Sequence, residues 1–402
     1  MKLLMVSACL PQPSWGASGR NYHLLKALAR QHEVALVALV HEDEPATEEE
    51  IALLTGITPT VQLLPHPLFT AKRRRQLLNL ARGRSYTLTQ FILPEVQHAL
   101  DAQFNAAHYD GVVFESALTA GYRLPEHISV IIDQHNIEYE LLERTAEIEQ
   151  SALRKWYNRL EAGLLKPGER ARCRNADLVL VTSEREQLLL KDILPEKKIE
   201  VVPNGVDVEA FSNDGTEPEA GGQIIFTGSM NYYPNIQAVH FFAQYCWPLI
   251  RAQVPDATWL IVGRKPEPEV QKLAELPGVT VTGQVADVRP YLATSAVAIA
   301  PLQIGSGTRL KILEALAMQK AVVSTSVGCE GLAVTAGKHL AVADQPEAFA
   351  GAVVAFLRNP QLRATYGTAG RALVEAEYSW QECGTRLLQA METINKAGAY
   401  IC

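Results

Sequence analysis

The sequence predicts an α/β protein of two doubly wound, Rossmann-like domains, each a parallel sheet flanked by helices. Three observations predict it. Short apolar runs alternate with helix-period segments for most of the length. The alternation restarts after a polar stretch with Gly and Pro at 212–222. The chain has 402 residues, more than one hydrophobic core ordinarily serves.

In chain order, Leu3–Ala8 reads as a buried strand and Pro11–Gly19 as a Pro/Gly/Ser loop. A helix follows with Leu24, Leu25 and Leu28 on one face, then a strand at Glu33–Val40. Strand, glycine-bearing loop, helix and parallel strand make a βαβ unit. Gly111–Phe114, Val130–Ile132, Leu178–Val181 and Ile199–Val202 continue the first sheet. Ile224–Thr227, Trp259–Val262, Val279–Thr282, Ala296–Ala300 and Ala321–Ser324 are strands of the second. Ile236–Arg251 and Arg309–Met318 read as helices between some of them, and Cys383–Lys396 as a final helix with Leu387, Leu388 and Met391 on one side. The expected domains are 1–208 and 209–380, with a terminal helix in 381–402. Open parallel sheets bind ligands beyond the carboxyl ends of their strands, so a cleft between two facing domains is the expected site.

Composition narrows the function classes. Hydrophobic content of 48% and charged content of 20% suit a soluble globular protein and exclude disordered, collagenous and coiled-coil chains. A formal charge of −7 argues against wholesale nucleic-acid binding. The six cysteines are scattered without metal-ligand spacing, which suits free thiols in a reducing compartment. The opening apolar run is too short for a secretory signal, and no stretch reaches the ~20 apolar residues of a membrane span. A cytoplasmic location is therefore expected. One local exception to the acidic balance is 72–84, KRRRQLLNLARGR, with six positive charges around Leu77, Leu78 and Leu80. It is either a peripheral contact for anionic headgroups or a lipid-linked acceptor, or a solvated face.

The stretch Pro301–Leu316, PLQIGSGTRLKILEAL, carries the most chemistry. A strand runs into Gly305, Ser306, Gly307 and Thr308, then into a helix. Glycines let a backbone approach a ligand closely, and a helix N-terminus offers unpaired N–H groups. Arg309 and Lys311 place two cations where a helix ordinarily prefers acids, so a bound anion is expected there. A diphosphate is that anion. The plain alternative is a turn whose two cations are solvated. Glu314 could accept hydrogen bonds from ribose hydroxyls, or simply pair with Lys311 at i, i+3. The segment is not a Walker loop, and Gly16-Ala17-Ser18-Gly19 is not the GxGxxG fingerprint of a dinucleotide enzyme. No Asp-x-Asp pair occurs, so a metal bridging the diphosphate is not expected, and no cofactor is expected besides the co-substrate.

These motifs, together with DQHNIEYE at Asp133–Glu140, ADLVLVTSERE at Ala176–Glu186, VVPNGVD at Val201–Asp207, FTGSMNYYPN at Phe226–Asn235, VTVTGQVADVRPYL at Val279–Leu292 and VVSTSVGCEGL at Val322–Leu332, span nearly the whole chain. In order and spacing the chain resembles the retaining glycosyltransferases of family 4, which have the GT-B fold of two facing Rossmann-like domains. The GSGTR form is similar to the branch found with exopolysaccharide and cell-surface glycan assembly.

The resemblance implies that the C-terminal domain binds a nucleotide-diphosphate sugar as co-substrate and the N-terminal domain a glycan, lipid-linked or small-molecule acceptor. Arg309 and Lys311 would face the diphosphate and Glu314 the ribose. Gly283–Val285 would receive the base, and Gly228, Ser229, Gly263 and Leu310 would complete the donor side. Gly16, Ser18, Gly19 and Asn136 would lie on the acceptor side, with His135 near the transferred sugar or acting as a hydrogen-bonded structural histidine. The Tyr232–Asn235 turn would line the cleft or pack between domains, and the terminal helix would pack back on the first domain. Two departures stand out. Ser306 replaces the first of two glutamates that many members carry, and Gly228-Ser229-Met230-Asn231 replaces an arginine and nearby lysine, whose work Arg309 and Lys311 would take over. The competing expectations are a relative that binds nucleotide sugar without transferring it, which Ser306 would favour, an NAD-dependent dehydrogenase, and a solute-binding protein, which would need an export signal.

Overall fold

The computed structural model describes residues 1–13, 16–66, 72–149, 151–213, 215, 218–305 and 309–398. The chain divides into two compact units, Met1–Pro203 with Cys383–Cys402, and Asn204–Glu382. The division falls at 203/204 rather than 208/209 because the following residues are tied to the second unit. Val206 N–H donates to Tyr378 O at 2.8 Å, and a Cβ on Gly205 would lie 2.7 Å from the Trp380 ring.

The first unit holds strands β1 (Lys2–Ser7), β2 (Glu33–His41), β3 (Thr60–His66), β4 (Gly111–Phe114), β5 (Ser129–Gln134), β6 (Leu178–Val181) and β7 (Ile199–Val201). They form one parallel sheet in the order β3-β2-β1-β4-β5-β6-β7. Both faces are covered, which is why the strands read as unbroken apolar runs. Leu4, Val6, Val112, Phe114 and Val179 pack on one side, and Leu3, Met5, Val113, Ile131 and Leu178 on the other. The terminal helix, Trp380–Gly398, places Leu387, Ala390 and Met391 in that second cluster beside Leu25 and Leu28.

The second unit holds β8 (Ala220–Thr227), β9 (Thr258–Val262), β10 (Val279–Gly283), β11 (Ser295–Ala300), β12 (Ala321–Ser324) and β13 (Ala341–Val342), in the order β10-β9-β8-β11-β12-β13. Its paired strands are likewise all parallel. The helix expected at 236–251 is in fact two, Tyr233–Phe241 and Trp247–Gln253, joined by a π turn at Phe242–Cys246. Pro248 has no N–H to donate back along the chain, and the wider turn absorbs that gap.

In each sheet the strand order reverses once, between β1 and β4 and between β8 and β11. Open α/β sheets bind ligands beyond the carboxyl ends of the strands at such a reversal. Among the described residues no helix is long and apolar enough to cross a membrane.

Candidate active site

In the second unit, Gly228 and Ser229 follow β8, Gly263 follows β9 and Gly283 ends β10, and Gly305 lies in the loop after β11, the strand beside β8. The glycines are required by space and conformation. Gly228 and Gly305 have φ of 150° and 144°, which side-chain-bearing residues rarely adopt. A Cβ on Gly263 would lie 1.6 Å from Gly228 O. Gly263 N–H also donates to Gly283 O at 3.2 Å. Three strand-end loops are thereby pressed against one another. Ser229 is tied in as well, its hydroxyl accepting from Arg264 Nε at 3.3 Å. Val285, two residues beyond β10, is half-buried.

Lys311 reaches back over this edge. Its Nζ donates to Asn235 Oδ1 at 2.7 Å and sits 3.8 Å from the centre of the Phe226 ring. Asn235 is held in turn, because its Nδ2 donates to Ser229 O at 2.9 Å. A Cβ on Gly228 would stand 3.0 Å from Lys311 Nζ, so the missing side chain at Gly228 makes the room the ammonium occupies. Loss of water and the neighbouring Arg309 push the Lys311 pKa down to about 7, against the pull of Glu314. Burial pushes the Glu314 carboxyl up to about 7, with Lys311 opposing. Each group is thus poised to change charge near neutrality.

Arg309 is only 8% exposed and curls back on the loop, since a Cβ on Gly305 would stand 2.6 Å from its Nη2. The helix begins one residue later than expected, at Leu310, and runs to Ala317 with Arg309 as its N-cap. The first turn therefore carries one of the two expected cations, Lys311, and no acid. Ser306, Gly307 and Thr308 lie outside the described residues.

In the first unit, Gly16 opens the Gly16–Leu28 helix with φ of 73°. The Ser18 hydroxyl donates to Leu10 O at 2.5 Å, and Gly19 is buried. His135 and Asn136 follow β5, where a buried ion pair organises them. Arg20 and Asp133 are each 1% exposed. The Arg20 Nε donates to Asp133 Oδ2 at 2.8 Å and its Nη2 to Oδ1 at 2.5 Å, while Nη1 donates to Pro203 O at 3.0 Å. Burial works against the Asp133 charge, yet Arg20 and His135 bring its pKa down to about 2. An ionised Asp133 can only accept, so His135 Nε2, 3.0 Å from Asp133 Oδ2, carries a proton and the ring is held by that bond. Gln134 is also fixed, its Oε1 accepting from Ala117 N–H at 2.8 Å and its amide donating to Asn136 O at 2.7 Å and to Glu169. Glu169 in turn caps the Glu138–Ile148 helix, accepting from the N–H groups of Glu138 at 3.0 Å and Tyr139 at 3.1 Å.

Sequence reasoning missed Arg20, Glu169, Asn21 and Glu115, and placed Asn235 only in a turn that would line the cleft or pack between domains. Arg20 and Asn21 carried a signal, two polar residues on the side of a helix that also bears Leu24, Leu25 and Leu28. Among the described residues no cluster of three His, Cys, Asp or Glu side chains could hold a metal ion.

A model of "Glycosyltransferase Family 4" matches residues 16–210, and one of "Glycosyl transferases group 1" matches residues 221–359. A phosphatidyl-myo-inositol mannosyltransferase of Mycolicibacterium smegmatis is 30% identical over 207 residues, 49% of this chain and 52% of that protein. The Mycobacterium tuberculosis enzyme of the same name is 29% identical over 214 residues, 50% of this chain and 55% of that protein. The chain thus spans about half the length of the curated relatives it matches. Among solved structures, a sucrose-phosphate synthase from Thermosynechococcus elongatus superposes with a TM-score of 0.73 at 16% identity, over 99% of this chain and 100% of that one. HepE of Anabaena in complex with UDP and glucose gives 0.66 at 14% identity, over 98% and 100%. These likenesses, with the two parallel sheets, show the GT-B type of fold that the sequence predicts.

Proposed function

The chain belongs to glycosyltransferase family 4, and on that premise we propose that it transfers a sugar, with retention, from a nucleoside-diphosphate donor to a hydroxyl of a glycan, lipid-linked or small-molecule acceptor. The observation that carries this reading is the half-buried ammonium of Lys311 at the strand-order reversal of the second unit, beside Arg309 at a helix start that has no acid. An ammonium is held partly out of water at a cost, and an arriving diphosphate would offset it. The donor-side glycines leave space for its backbone contacts.

As the anomeric bond breaks, negative charge grows on the leaving phosphate. Fixed cations lower the barrier to the extent that they hold that growing charge more tightly than the intact donor. Lys311 and Arg309 would do this without a metal. Glu314, once ionised, would accept from the ribose hydroxyls. In same-face attack the leaving phosphate removes the acceptor proton, and His135 Nδ1, fixed by Asp133, orients a hydroxyl near the reacting carbon. HepE, named above, was solved with UDP and glucose, which supports a sugar nucleotide as donor.

A thermal-shift screen with UDP-, GDP- and ADP-sugars and NADH tests the proposal. A ligand at 100 times its Kd adds about 2.7 kcal/mol of stability. A shift with a sugar nucleotide, and none with NADH, is expected. The stabilising donor, radiolabelled, should then be transferred in EDTA with its anomeric configuration kept. No shift with any sugar nucleotide rejects the proposal; inversion or a metal requirement removes the corresponding part.

Donor affinity should also depend on pH. Below about 7 the Lys311 ammonium is already charged; above it, binding must draw a proton from solution, so the Kd should rise with pH, approaching tenfold per unit. In Lys311→Arg this rise should vanish, because a guanidinium keeps its proton. Titration calorimetry at pH 6.5, 7.5 and 8.5 checks it, and an equally steep wild-type and variant profile contradicts it.

A peripheral contact with anionic lipid belongs to the same proposal. On the Lys72–Ala81 helix, Leu77 and Leu78 are 67% and 46% exposed. The adjoining start of the Ala152–Asn175 helix exposes Leu153 and Trp156 at 74% and 55%, and Tyr157 there lies against Gln76. Apolar side chains among basic ones suit a headgroup boundary. Co-sedimentation with phosphatidylglycerol vesicles should occur at low salt and fail at high salt; no binding at low salt ends the idea.

A further inference from the structure

We infer that Glu115, at the strand-order reversal of the first unit, binds hydroxyl groups of a carbohydrate acceptor; this rests on the sugar-transfer reading above and deepens it. Glu115 follows β4 directly and faces the end of β1 across the one place where the order of that sheet reverses. This is where an open α/β sheet presents a ligand site.

The two carboxylate oxygens of Glu115 differ. Oε2 is held by the protein: Ala8 N–H donates to it at 2.8 Å and Asn21 Nδ2 at 2.5 Å, the Ser7 hydroxyl, 2.6 Å away, shares its one proton between Oε2 and Cys9 O, and the Cys9 thiol lies at 3.8 Å. Oε1 makes no hydrogen bond among the described residues, and the side chain as a whole is only 6% exposed. The carboxylate is thus clamped through one oxygen, while the other has no hydrogen-bond partner among the described residues at the carboxyl end of β4.

The clamp is made at a cost. Asn21 is fully buried and turns its amide N–H groups to Glu115 and Ser7, while its Oδ1 accepts nothing among the described residues. A buried, unsatisfied acceptor is uncommon and calls for a reason. Among the described residues no cation hydrogen-bonds Glu115, and the buried guanidinium of the unit, Arg20, is bound to Asp133. A role confined to tying β1 to the neighbouring helix would be met by a neutral side chain at lower desolvation cost. A carboxylate oxygen that no cation hydrogen-bonds repels phosphate and accepts from O–H donors in short, strong hydrogen bonds. The group it suits is a neutral, hydroxyl-rich ring.

Saturation-transfer NMR on the full chain tests this with methyl glycosides of glucose, mannose, galactose and N-acetylglucosamine, and with myo-inositol. At least one should bind the wild type, and Glu115→Gln should weaken it tenfold or more, because the amide can keep the Ala8 and Asn21 bonds while offering a donor where Oε1 accepted. The thermal shift produced by sugar nucleotides should be unchanged in the same variant. Equal glycoside binding in the variant overturns the inference, as does no binding by the wild type. Failure of sugar nucleotides to bind the wild type would instead count against the parent reading. If Glu115→Gln does not fold, a crystal of the wild type soaked with the glycoside decides: a hydroxyl on Oε1 supports the assignment, and a ring bound elsewhere overturns it.

Discussion

Replacing Lys311 with alanine is expected to lower turnover by about 10²–10³-fold, the loss seen when one fixed donor to a developing oxyanion is removed. The same loss of charge should not weaken the empty protein. Lys311 is held partly out of water with its pKa pushed down to about 7 by burial, then by Arg309. Between about 7 and the ordinary lysine value the unfolded chain binds a proton that the folded chain does not, so wild-type stability climbs with pH across that window. Lys311→Met, which keeps most of the volume, should flatten that climb and match or exceed wild-type stability at pH 7. Urea unfolding at pH 7 and 9 beside steady-state kinetics gives both numbers. A variant with near-normal turnover would remove Lys311 from the reaction; one equally inactive but unfolded would show that its role is structural.

The second large effect concerns stability. Arg20→Met leaves the Asp133 carboxylate buried without its guanidinium and should cost about 3–5 kcal/mol. Adding Asp133→Asn removes the stranded charge and should recover much of that loss, a coupling that a double-mutant cycle isolates. The wild-type pair should also show an acid signature. Asp133 titrates at about 2 when folded, so its contribution is fully present above the ordinary aspartate range and is lost as pH falls from about 4 towards 2. With Asp133→Asn, His135 loses its anionic partner, so transfer should fall even where the double variant refolds. Additive losses in the cycle would contradict the pairing.

The parts legible in the sequence and the parts hidden in it differ by a physical criterion. Strands of a sheet covered on both faces announce themselves as apolar runs, and Gly111–Phe114, Leu178–Val181 and Ala321–Ser324 appear at the expected bounds. Thr60–His66 escaped notice because it is half-buried and contains Pro65, features tolerated in the edge position it occupies. Ala341–Val342 is too short to show a period. The glycine loop and its cations were readable because they are contiguous. Their partners were not: Asn235 lies 76 residues from Lys311, Asp133 lies 113 from Arg20, and Glu115 lies 94 from Asn21. Such pairs are made by the winding of the sheet, and nothing in local composition names them.

The most direct test of the account is a crystal structure of the chain with the sugar nucleotide that stabilises it most. The account predicts a diphosphate oxygen about 2.7–2.9 Å from Lys311 Nζ, with Arg309 on the same group and Gly228 and Gly305 beneath it. A pyrophosphate bound away from β8 and β11, with Lys311 still donating to Asn235, would contradict it.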